Sequence, residues 1–94
     1  MGVVIPLTVK ITYDKASSDA PFVAYNPELD LTSCGPTEEK ARMNLRETVD
    51  IVLKEVKKKK KLDEFLQEMG FEKLRKGWHP PRITFEPFVF PQAS

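Results

Sequence analysis

Apolar and polar residues alternate near the start of the chain: Leu7, Val9, Ile11 and Tyr13 are separated by Thr8, Lys10 and Thr12. Period two over this stretch predicts a strand with one buried face. Pro6 has no N–H to give to a ladder, so it marks a bulge or the free side of an edge. Lys15 to Ala20 has no period and ends at Pro21, which reads as a loop. Phe22-Val23-Ala24-Tyr25 is a short apolar second strand, broken by the turn pair Asn26-Pro27. Leu29 and Leu31 then alternate with Asp30 and Thr32 in a third short strand that stops near Gly35.

The period changes after Gly35-Pro36. Thr37 can cap the first turn of a helix, with Glu38 and Glu39 placed where the helix dipole favours anions. Ala41, Leu45, Val49, Val52, Leu53 and Val56 fall within one arc of about 120°, which predicts the core face of that helix. Met43 and Ile51 lie off the arc with Glu47 between them, a second and thinner apolar line. Lys57 to Lys61 is an unbroken lysine run that goes more than once around a helix axis and so makes no single flat face. Leu62, Phe65, Leu66 and Met69 show the spacing of a short amphipathic helix, with Gly70 as its C-terminal cap and Phe71 packing back on it. Lys73 to Pro81 reads as a basic, proline-ended connection. Ile83 and Phe85 alternate with Thr84 and Glu86, and Pro87 interrupts before Phe88-Val89-Phe90. That segment is a last strand at an edge, or an arm lying against another subunit.

The order predicts an α+β fold of two layers. A three- to four-stranded, mainly antiparallel sheet carries one long and one short helix on one face, in the order β-β-β-α-α-β. With 94 residues the chain reads as one domain, 1–94, with its core in 7–56. Residues 57–94 add the short helix, the basic linker and the C-terminal strand or arm. A domain this small buries a modest core and is often completed by a partner subunit. Met43, Ile51, Phe88 and Phe90 are the candidate contacts of a homodimer or tetramer.

Charge changes this picture little. Fifteen basic and fourteen acidic side chains give a net charge of +1, so nothing global draws the chain to nucleic acid or to a membrane. The single cysteine rules out an intramolecular disulfide and fits a reducing cytoplasm. The run Val3-Val4-Ile5 is too short for a signal peptide and lacks its basic start, and no apolar stretch approaches a membrane span.

The candidate chemistry is sparse. Glu28 and Asp30, placed on an extended strand, would point the same way with Cβ atoms about 7 Å apart. A hard cation needs more oxygen ligands than such a pair supplies, so the plain reading is the solvent side of a strand whose other face carries Leu29 and Leu31. Cys34 would need a base to act as a nucleophile, and His79 is the sole histidine. One histidine and one cysteine are too few for zinc. Gly77-Trp78-His79-Pro80-Pro81 reads as a rigid loop whose indole closes one end of the core. The lysine run with Lys73, Arg75, Lys76 and Arg82 makes the C-terminal half basic without any recognised nucleic-acid reading element. No catalytic, metal or cofactor site is expected.

One ordered set of residues resembles a known family. Tyr25-x-Pro27-Glu28-Leu29, followed by Gly35-x-Thr37-x-Glu39-x-Ala41-x-x-Asn44-Leu45-x-Glu47, is similar to the signature of HicB-family antitoxins. The likeness runs through residues 7 to 56 and thins from 62 to 90. It implies a β-β-β-α-β domain of the partial RNase H-like type and a non-enzymatic role: family members bind a small HicA-type toxin that cleaves mRNA and cover its catalytic histidine. Many are oligomeric. Members that repress their own operon carry an added helix-turn-helix or ribbon-helix-helix domain. No such unit follows the long helix here, so DNA binding is not carried over. On this reading Tyr25, Glu28 and Asp30 are the candidate partner-binding residues, with charge complementary to a small basic toxin. The competing reading is a stand-alone RNA-directed protein with a HicA-like C-terminal part that uses His79.

Overall fold

The computed structural model describes residues 4–93. The Val3 end of the short N-terminal apolar run lies outside the described residues. Strands β1 (Lys10–Tyr13), β2 (Phe22–Asn26) and β3 (Leu31–Gly35) form an antiparallel sheet in the order β1-β2-β3. Helices α1 (Glu38–Lys58) and α2 (Leu62–Glu68) follow, and β4 (Glu72–Leu74) pairs with β5 (Gly77–His79) in a separate hairpin. This is the α+β order β-β-β-α-α-β, its last β unit being a two-stranded sheet.

The register fixes which face is which. Ala24 sits between Ile11 and Ser33, and Tyr25 between Lys10 and Thr32. Alternation then puts Ile11, Phe22, Ala24, Leu31 and Gly35 toward the helix, and Lys10, Thr12, Val23, Tyr25, Thr32 and Cys34 on the opposite face. Helix α1 crosses chiefly over β3 and β2.

Small residues let it come close. Ala24 and Ala41 are fully buried, and a Cβ added to Gly35 would lie 2.6 Å from the Ala41 backbone nitrogen. Gly35 is not among the residues with positive φ. Its role is to leave room for the helix backbone. Thr37 caps α1, its hydroxyl accepting from the Lys40 N–H at 3.0 Å, and the Asn44 side-chain amide donates to the Cys34 carbonyl at 2.8 Å. Helix and sheet are thus joined by packing, by a cap and by a direct side-chain bond.

Two small cores share this frame. Ala24, Ala41 and Leu45 form the one under α1, with Ile11, Phe22, Leu31 and Val49 packed around them. Leu29, Leu66, Phe71 and Trp78 form the other, joined by Leu53, Leu62, Phe65 and Met69. Leu31 and Val49 touch both. The second core exists because α2 presents Leu66 inward and Phe71 folds back on its end. Trp78 closes it from β5, where a loop was expected. Lys73, across from Trp78 in the hairpin, holds its ammonium 5.8 Å from the indole centroid and pairs with Asp63 of α2.

The two helices end alike with different residues. After α1, Lys60 N–H donates to the Lys57 carbonyl and Lys61 N–H to the Val56 carbonyl, with Lys60 at φ 58. After α2, Gly70 N–H donates to Gln67 and Phe71 N–H to Leu66, with Gly70 at φ 93. Both are Schellman endings. Only the second has the glycine that reaches a left-handed conformation without steric cost.

Three expectations need correcting. The first strand was expected over Leu7–Tyr13, but the paired part begins at Lys10. In the continued register Thr8 would face Pro27, which has no N–H to donate. The Thr8 backbone is satisfied instead by side chains, as described below. Leu29 and Asp30 belong to the four-residue turn between β2 and β3 and not to β3 itself. Finally, Ile83–Phe90 forms no strand: residues 80–93 carry no regular secondary structure, while the stretch read as a connection folds as β4 and β5. The exposed tail elongates the molecule. Its radius of gyration is 16.1 Å with extents of 52 × 33 × 19 Å, against about 12 Å expected for a compact chain of this length.

Candidate partner-binding surface

Three backbone facts position the β2–β3 turn. Asn26 ends β2, Leu31 begins β3 opposite it, and Pro27 to Asp30 close the loop between them. The Asn26 side-chain carbonyl oxygen accepts from the Leu29 N–H three residues on at 2.8 Å, a local side-chain-to-backbone bond of the kind Asn makes at turns. Asp30 completes the reversal at φ 55, a conformation that Asp tolerates better than most residues.

The turn then sorts its side chains. Glu28 is 7% exposed and Asn26 1%. The Asn26 amide donates to the Glu28 carboxylate and to the Thr8 carbonyl, both at 2.8 Å. Glu28 also accepts from the Thr8 N–H at 2.9 Å and from the Thr8 hydroxyl. Every polar atom of this cluster therefore has a partner, and among the described residues no buried side-chain N or O is left unpaired. The network binds the N-terminal segment to the turn.

Glu28 therefore does not stand on the solvent side of a strand, as the alternation suggested. Positions 28 and 29 both turn inward, one into a hydrogen-bond network and the other into the core. A turn has no period of two, so a strand pattern read through it misplaces both residues.

Asp30 goes the other way. It is exposed, and the half-buried Tyr25 donates its hydroxyl to the Asp30 carboxylate at 2.9 Å. That bond holds the phenol in its neutral form and pushes the Tyr25 pKa above its usual value, with lost hydration and the charge of Asp30 adding in the same direction. The pair stands at one end of the helix-free face of the sheet, beside Lys10 and Thr32. Both outer strands of this sheet, β1 and β3, have one neighbour each. The face and its edges form the candidate binding surface.

The remaining candidates are scattered. Cys34 is exposed on β3 and His79 is exposed on β5, in different sheets. Among the described residues no three His, Cys, Asp or Glu side chains gather as ligands of an ion. No helix there is long and apolar enough to cross a membrane. Met43 and Ile51 are 54% and 62% exposed on the side of α1 away from the core, and Phe88 and Phe90 are 84% and 75% exposed on the tail.

Sequence reasoning missed one feature here. A cleft of about 420 Å³ lies between the N-terminal segment and α1, lined by Ile5, Leu7, Val9, Leu45 and Val49, with Arg42 and Arg46 also on its wall. The signal was present in the helix: positions 42, 45, 46 and 49 share a face. It went unread because the first strand was expected to run through Leu7 and Val9.

The chain matches no protein-family model, no curated protein and no solved structure.

Proposed function

We propose that the chain is a HicB-like antitoxin domain, a non-catalytic module that binds and masks a small mRNA-cleaving toxin of the HicA type. One observation carries the reading. The residues of the resemblance, Tyr25 to Glu47, fold as a single hairpin-and-helix unit whose other sheet face stays uncovered, with the Tyr25–Asp30 pair displayed on its rim. Pro27, Gly35, Thr37, Ala41, Asn44 and Leu45 each have a structural task in that unit. The groups left over for a partner are Tyr25 and Asp30, with Glu28 holding the turn that presents them.

An exposed carboxylate on a sheet rim suits a basic partner, through charge steering and strand addition at an open edge. Self-association as a homodimer or tetramer goes with this role, using Met43, Ile51, Phe88 and Phe90, which stand exposed among the described residues. The test is co-expression with the toxin encoded by a neighbouring reading frame, followed by affinity capture and a growth assay. A complex and restored growth support the reading; neither complex nor rescue removes it.

The second reading, an RNA-directed protein using His79, draws on one observation. His79 is exposed on a hairpin whose turn is Arg75-Lys76. RNA degradation that is lost on His79→Ala would favour it; no degradation, or degradation unchanged by the substitution, ends it.

A further inference from the structure

We propose that the C-terminal arm of one copy docks into the cleft between the N-terminal segment and α1 of a second copy, and that the exchange is reciprocal. The inference rests on the self-association proposed above and is independent of the toxin.

The chain contains both halves of an unmade contact. The arm carries Phe85, Phe88, Val89 and Phe90 at 58%, 84%, 92% and 75% exposure. The cleft is apolar on its floor, with Leu7 and Val9 at 36% and 39% exposure. Its volume of about 420 Å³ lies within the roughly 300–1,000 Å³ of clefts that seat ligand-sized apolar groups. Charge agrees with shape. Glu86 is the sole ionisable side chain between Arg82 and the end of the arm, and the cleft wall holds Arg42 and Arg46.

The backbone is suited to an extended occupant. Pro80, Pro81, Pro87 and Pro91 exclude a helix and stiffen the arm. Pro81 packs over Gly70 at the end of α2, which fixes the direction in which the arm leaves the domain. Residues 82–93 are exposed throughout, so the arm is not buried against its own domain. The thirteen residues beyond Pro81 reach about 45 Å when extended, enough to cross a neighbouring domain.

The area suffices. Aromatic side chains bury about 150–250 Å² each. The aromatic side chains of two arms alone would hide roughly 1,000 Å², before the cleft walls they cover are counted. Stable interfaces bury about 1,200–2,000 Å² in total.

Sedimentation of the full-length chain across a wide concentration range is the first measurement, with Phe88→Ser/Phe90→Ser beside it. Both positions are exposed, so the variant keeps its fold by circular dichroism. A dimer that this variant weakens about tenfold or more supports the exchange. Arg46→Glu and Glu86→Arg should each weaken the dimer, and their combination should restore it. Site and direction come from cysteine pairs in a Cys34→Ser background. Mixing a Val9→Cys chain with a Val89→Cys chain should give an interchain disulfide. A monomer at every concentration overturns both self-association and arm exchange. A dimer indifferent to Phe88→Ser/Phe90→Ser overturns the exchange and leaves association through Met43 and Ile51. Closure of a Val9→Cys/Val89→Cys chain on itself, with no interchain product on mixing, overturns it too, because the arm would then fill its own cleft. Failure to capture a toxin bears on none of these results.

Discussion

Asn26 and Glu28 are polar and buried, at 1% and 7% exposure; Phe88 and Phe90 are apolar and exposed, at 84% and 75%. The β2–β3 turn and the C-terminal arm thus invert the usual sorting in opposite directions. In the turn, the inversion is compensated inside the chain. Thr8, Asn26, Glu28 and the Leu29 N–H satisfy one another, so burial there specifies a single geometry. In the arm no described residue compensates it. Buried polar groups with partners mark the part of the molecule whose contacts close within the chain; exposed aromatic groups mark the part for which a second surface is proposed.

The largest effect should come from breaking the turn. Asn26→Ala removes a buried amide and leaves the Leu29 N–H and the Thr8 carbonyl without their partners. A loss of about 3 kcal/mol is expected in urea unfolding of the full-length chain. If that loss is small, the network is ornamental and the contrast with the arm fails. Gly35→Ala probes the same rigid half by overpacking: the added methyl meets the Ala41 backbone at 2.6 Å, which cannot yield without moving α1. About 2 kcal/mol of destabilisation is expected.

A helix ending sharpens the picture with the opposite sign. Lys60 occupies the left-handed position that Gly70 occupies at the other ending. Lys60→Gly should raise stability by about 1 kcal/mol in the same unfolding measurement. Phe88→Ser/Phe90→Ser should change the unfolding free energy of the monomer by less than about 0.5 kcal/mol. A large loss there would mean that the arm already packs on its own domain.

The smallest effect is a titration at the rim. Tyr25 should ionise at higher pH than a free tyrosine, because its hydroxyl donates to Asp30. Asp30→Asn should bring that ionisation back down, read by the ultraviolet absorbance of phenolate. The sign for stability follows. A pKa raised by folding gives a contribution fully present below the unfolded value of about 10, and lost as pH rises through the folded value.

Much of this architecture was legible from pattern. Ala41, Leu45, Val49 and Leu53 of the expected stripe pack in the cores, Thr37 caps α1, and Gly70 with Phe71 ends α2. Those features are local, set by spacing and caps within one element. What was not legible depended on partners distant in sequence. Leu7 to Val9 has a strand's alternation, yet Thr8 bonds to Glu28 and Asn26 in place of a neighbouring strand. Ile83 to Glu86 alternates equally well and has no ladder at all, since alternation describes side chains and a ladder needs backbone partners. Conversely, Glu72–Leu74 is exposed throughout and shows no apolar face, so β4 was hidden. Its turn gave no mark either, since Arg75-Lys76 lacks the Asn, Asp or Gly that signals a two-residue hairpin. Of the candidate site, Asp30 stands at the surface and Tyr25 is half-buried beside it. Glu28 does not reach the surface, because the turn directs it inward.

Whether the uncovered sheet face is a binding surface is tested most directly by capture. The full-length chain and its Asp30→Lys variant would each be immobilised and offered a small basic toxin of the proposed HicA type. Retention by the native chain, reduced about tenfold or more by the charge reversal, is the expected result. No retention by the native chain, or retention that the reversal leaves untouched, would contradict a binding role for the Tyr25–Asp30 rim.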